Sequence, residues 1–80
     1  MSYNLGRLKW RSRRSILELD IYFDSFIRNG GLDGLSIDEL IVYNQLLNMD
    51  DSDILSMLHG MLYIDNIKLR ELVDKIKLSK

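Results

Sequence analysis

Apolar residues recur along this chain at spacings of three and four, and nowhere alternate with polar ones long enough to form a strand. The pattern predicts about five helices. The first spans about Asn4 to Arg13, with Leu5, Leu8 and Trp10 as its apolar positions. The second spans about Ser15 to Asn29, where Ile16, Leu19, Phe23, Phe26 and Ile27 make a buried stripe. Gly30 and Gly31 end it, because glycine accepts the left-handed conformation past a helix end. Residues 32–35 read as a loop. Ser36 and Glu39 have the spacing of a capping box, so a third helix starts there and turns Leu40, Tyr43, Leu46 and Leu47 inward. Residues 48–51 break it. Asp51 or Ser52 is the expected cap of a short fourth helix running through His59, with Ile54, Leu55 and Leu58 apolar and Gly60 as its stop. A fifth helix begins near Asp65 and carries Leu69, Leu72, Val73 and Ile76 on one face. Its basic end, with Lys75, Lys77 and Lys80, suits the negative pole of the helix. The expected fold is therefore all-α, a small single-domain bundle over residues 1–80, with Phe23, Phe26, Leu47, Leu55, Leu72 and Val73 buried.

A chain of 80 residues buries only about 60–65% of its unfolded surface. That supports one thin core and no deep substrate cavity. The chain has no cysteine, which excludes a disulfide, a thiolate zinc site and a thiol nucleophile, and fits a reducing cytoplasm. No apolar run approaches the ~20 residues of a membrane span. The basic N-terminus lacks the apolar stretch of a secretory signal. The net charge of −1 conceals a segregation: +5 over residues 1–14, −9 over 15–65 and +3 over 66–80. The basic ends either lie on the acidic middle or present separate surfaces. A nucleic-acid binder shows a broad positive field, which the acidic middle opposes.

Reactive constellations are missing. Asp50, Asp51 and Asp53 resemble a calcium loop only superficially, since Ser56 and Leu62 stand where such a loop needs glycine and glutamate. His59 is the only histidine and has no clustered second ligand; it reads as a helix-end stabiliser rather than a metal ligand. No nucleophile–base pair, phosphate loop or dinucleotide fingerprint is present. The chain is thus expected to have no catalytic residue, no metal site and no cofactor-binding residue of its own.

One stretch is more specific. Arg13, Arg14, Ser15, Ile16, Leu17, Glu18, Leu19 and Asp20 follow the basic, Trp-bearing opening segment. Arg14 and Glu18 are four apart and can pair on one helix face, a surface ion pair worth a few tenths of a kcal/mol. Trp10 either fills the core or stands exposed as an anchor beside Arg11 and Arg14. This run, followed by Phe26, then Leu46, Leu47, Asp51, Asp53, Leu58 and Gly60, resembles the succinate dehydrogenase assembly factor 2 family, the FAD assembly factors called SdhE in bacteria. Ser15 replaces the glycine of the family motif and Met57 its frequent tryptophan.

The resemblance implies a chaperone-like binding module rather than an enzyme. Such a module binds the flavoprotein subunit of succinate dehydrogenase or fumarate reductase and promotes covalent attachment of FAD to a histidine there. The FAD belongs to the partner and is not held tightly by the factor. Arg14, Ser15, Glu18, Trp10, Arg11 and Arg13 are the implied partner-binding residues. Alanine at Arg14 or Glu18 is expected to leave the fold intact. The implied factor is a monomer, with no nucleic acid and no membrane span, in the bacterial cytoplasm or, in a eukaryote, the mitochondrial matrix. Two other readings of the residues stand beside it: a generic helical protein–protein adaptor, and a small nucleic-acid-binding helical domain using the basic N-terminus.

Overall fold

A computed structural model describes residues 4–80, and among these the chain forms five α-helices and no strand. They are α1 (Leu5–Arg11), α2 (Leu17–Arg28), α3 (Ile37–Leu47), α4 (Asp51–Leu58) and α5 (Ile67–Leu78). Helix α5 packs against α2, α3 and α4 and so closes the core.

Local chemistry explains the boundaries. The Asn4 side chain caps α1 through the Arg7 amide at 3.1 Å, and the Asn66 side chain caps α5 through the Leu69 amide at 3.1 Å. The expected capping box of α3 is present, with Ser36 and Glu39 bonded reciprocally at 3.2 and 3.0 Å. Helices α2 and α4 end in matched motifs. Gly30 and Gly60 take φ of +77° and +72°. The next amides, Gly31 and Met61, then bond back to the Phe26 and Ser56 carbonyls at 2.9 and 2.8 Å. Gly31 has a second constraint, since a Cβ there would lie 2.4 Å from the buried Phe26 ring.

Two boundary expectations and one burial expectation are corrected. The second helix starts at Leu17 rather than at about Ser15, with Ile16 in the cap position and no side-chain cap. Asp20 instead reaches back to the Arg14 amide at 2.9 Å and holds the approach to α2 out of the helix. Neither Asp51 nor Ser52 caps α4, which has Asp50 in the cap position. Asp51 is occupied elsewhere, by Arg14. Leu55 is only partly buried, because Ile54, Met57 and Leu58 take the inward face of this short helix. Phe23, Phe26, Leu47, Leu72 and Val73 are buried as expected.

Tyr43 sits at the centre, fully buried, edge-on to Phe23 and stacked on Phe26 with both centroids 6.0 Å away. Its hydroxyl meets the one buried polar side chain described, Ser12, at 2.5 Å. The Ser12 hydroxyl donates to the Leu8 carbonyl at 2.7 Å, so Tyr43 is the donor to Ser12. Burial pushes the Tyr43 phenol up to about 12, against the opposing effects of the Ser12 bond and the Arg14 charge. Tyr43→Phe removes a donor but leaves Ser12 bonded to Leu8, and is expected to cost about 1 kcal/mol. Ser12→Ala strands the buried hydroxyl and is expected to cost more, about 1–2 kcal/mol. Urea unfolding of the two variants checks the order; equal midpoints would refute it.

Both basic ends lie on the acidic middle. Lys9 reaches Asp33 at 3.5 Å and Arg14 reaches Asp51 at 3.0 Å, while from α5 Lys68 reaches Asp38 at 3.5 Å and Lys75 reaches Glu39 at 2.5 Å. Glu39 also accepts from the Ser36 amide, and Lys75 and this amide together lower its carboxyl from 4.5 to about 2. A carboxyl that is more acidic folded than unfolded stabilises the fold fully above its unfolded value and loses that contribution as pH falls. The pair is partly solvated, so the effect is on the order of 1 kcal/mol. The stability difference between wild type and Glu39→Gln is therefore expected to shrink between pH 4.5 and about 2. Chemical denaturation across that range measures it, and a constant difference would contradict the assignment.

Candidate functional site

The turn between α1 and α2 carries the basic run onto one end of the bundle. Ser12 anchors the turn in the core, and the Arg13 amide bonds the Trp10 carbonyl at 3.2 Å. This sends Trp10 outward: it is 73% exposed, which rules out core filling. The Arg13 guanidinium lies 5.9 Å from its ring centroid and Arg13 is itself exposed. Arg11 turns the other way, onto the end of α3, donating to the Asn44 side chain and, at 2.6 Å, to that of Asn48. It positions α1 rather than presenting a free fork.

Arg14 and Glu18 do not pair with each other. Arg14 precedes α2, so the four-residue helical geometry does not apply to it. Its guanidinium turns inward, donating to Asp51 at 3.0 Å and to the Leu47 carbonyl at 3.1 Å, and lies 5.7 Å from the Phe23 centroid. The side chain is 12% exposed, and its Nε is buried without a hydrogen-bond partner among the described residues. Arg14 thus ties the end of α3 and the start of α4 to α2. The expectation that alanine here spares the fold is corrected, because a buried, hydrogen-bonded charge is not a surface pair.

Glu18 lies in the first turn of α2, where a negative charge is favoured, and bonds His59 at the end of α4 at 2.6 Å. It remains 42% exposed. Ser15 is exposed beside it, and Leu17 projects outward at 73% exposure. No non-glycine residue among those described has positive φ, so Ser15 occupies ordinary backbone that does not itself demand glycine. The outward set is therefore Trp10, Arg13, Ser15, Leu17 and Glu18, with Arg11 and Arg14 beneath it as supports. No group of three or more metal-capable side chains lies among the described residues. The arrangement offers a donor, an acceptor and apolar anchors in fixed positions, which suits recognition of another protein surface.

The sequence reading missed the partners of the two motif residues. Asp51 read as a helix cap and His59 as a helix-end group. Both stand in the second motif stretch, so the two motifs hold each other: Arg14 to Leu47 and Asp51, Glu18 to His59. Their sequence separations of 33 to 41 residues gave no local signal.

A family model described as "flavinator of succinate dehydrogenase" matches residues 6–79. Among curated proteins, the chain is similar to the FAD assembly factor SdhE of Idiomarina loihiensis, at 33% identity over 84% of this chain and 73% of the relative. It is also similar to the factors of that name from Vibrio cholerae, at 36% over 89% and 81%, and from Photobacterium profundum, at 37% over 89% and 80%.

Proposed function

The chain belongs to the family of flavinators of succinate dehydrogenase, and on that premise we propose that it is an assembly factor that binds the flavoprotein subunit of that enzyme and promotes its covalent attachment of FAD. The family match across residues 6–79 carries this reading. The outward face at the α1–α2 turn supplies a docking surface for it. Trp10 and Leu17 bury apolar area, Glu18 accepts a hydrogen bond, and Arg13 and Ser15 border the contact. Arg11 and Arg14 hold the face rigid, which lowers the ordering cost of docking.

Flavin chemistry belongs to the FAD and its host protein. This chain binds no FAD tightly and contributes no group to bond making. It acts by binding more tightly to the partner conformation in which the acceptor histidine and the flavin meet. It works as a single-domain monomer in the bacterial cytoplasm and serves the flavoprotein subunit of succinate dehydrogenase or of fumarate reductase. No helix among the described residues is long and apolar enough to cross a membrane.

The test is reconstitution. Purified chain is added to the unflavinylated flavoprotein subunit of either enzyme with FAD, and covalent flavin is read by fluorescence of the denatured subunit. The rate should rise with chain concentration and saturate. A rate independent of the chain for both subunits would end this reading.

A further inference from the structure

We infer that His59 is the positioning residue for Glu18, fixing one carboxylate oxygen so that the other is presented to the flavoprotein partner. The inference rests on the reading that Glu18 belongs to the docking face. His59 Nε2 lies 2.6 Å from Glu18 Oε2, whereas Oε1 has no hydrogen-bond partner among the described residues. A glutamate side chain has three rotatable torsions, and an unheld carboxylate must be ordered when it docks. The hydrogen bond to His59 makes that selection beforehand and leaves Oε1 for an N–H donor of the partner.

The imidazole is itself held at a defined place. His59 is the C-cap of α4, and its amide bonds the Leu55 carbonyl at 3.0 Å. Gly60, at φ +72°, turns the chain back, and the Gly60 and Met61 amides close onto the Met57 and Ser56 carbonyls at 3.1 and 2.8 Å. Glu18 is held equally well, in the first turn of α2 one residue before the fully buried Leu19. Two rigid helix ends thus bring the carboxylate and the imidazole together. The His59 side chain is 35% exposed, so it supports the carboxylate without being a core residue.

A double-mutant cycle on binding to the flavoprotein subunit tests this, with covalent flavinylation at limiting chain as a second readout. His59→Ala should weaken binding about fivefold, on the scale of a lost interface contact. Added to Glu18→Ala it should bring no further loss, because its effect passes through that carboxylate. His59→Gln, whose amide nitrogen replaces Nε2 as donor, should restore most of the affinity. Wild-type binding by His59→Ala, full additivity with Glu18→Ala, or a His59→Gln variant as weak as the alanine one would each overturn the inference while leaving the docking face in place. Wild-type binding by Glu18→Ala would overturn the face itself, and this inference with it.

Discussion

Arg14→Ala is expected to lower the free energy of unfolding by about 2–4 kcal/mol, the scale for breaking a largely buried, hydrogen-bonded ion pair. The guanidinium makes three contacts that no neighbour replaces: Asp51 at 3.0 Å, the Leu47 carbonyl at 3.1 Å and the Phe23 ring face at 5.7 Å. Without it, a last-turn carbonyl of α3 and a first-turn carboxylate of α4 lose their partner together. A domain of this size loses roughly 4–8 °C of melting temperature per kcal/mol, so the midpoint should fall by about 10–25 °C. Arg14→Lys should lie between, since an ammonium keeps the charge but not the planar fork that serves Asp51 and Leu47 at once. Thermal melts by circular dichroism measure the series. A midpoint for Arg14→Ala within a few degrees of wild type would show that the clamp contributes little.

Glu18→Ala should produce the opposite combination. The carboxylate is 42% exposed and its pairing with His59 is partly solvated, so stability should change by about 0.5 kcal/mol or less. On the proposed docking role of Glu18, flavinylation of the partner at limiting chain should fall about tenfold or more, because a lost hot-spot contact costs over ~1 kcal/mol of binding. Excess chain should recover much of the rate, as expected when affinity is what has been lost. Ser15→Gly is the companion variant. It restores the residue of the family motif on backbone that accepts either residue, and should keep or improve the rate. Normal flavinylation by Glu18→Ala at limiting chain would remove this face from the mechanism. The two alanine variants together separate support from contact: Arg14→Ala fails by unfolding, Glu18→Ala while folded.

The helices were legible because helix formation and termination are local. The stripe Leu19, Phe23 and Phe26 repeats at helical spacing, and Ser36 lies within one turn of Glu39. Gly30 and Gly60 stop their helices through the conformational freedom of single residues. The family motif was equally visible, since its residues are contiguous from Arg13 to Asp20. The sequence by itself thus determined the all-α class, most of the core and the stretch that carries the family motif. It did not determine which face of that stretch looks outward. Arg14 and Glu18 have the spacing of a surface pair, but that spacing has meaning only inside a helix, and α2 begins after Arg14. The tertiary structure decided this by bringing Leu47, Asp51 and His59 from more than 30 residues away. It buried one motif charge as a clamp and left the other partly exposed beside His59. The free energy that chooses between those fates comes from groups that share no turn of helix with Arg14 or Glu18, so no local pattern could encode it.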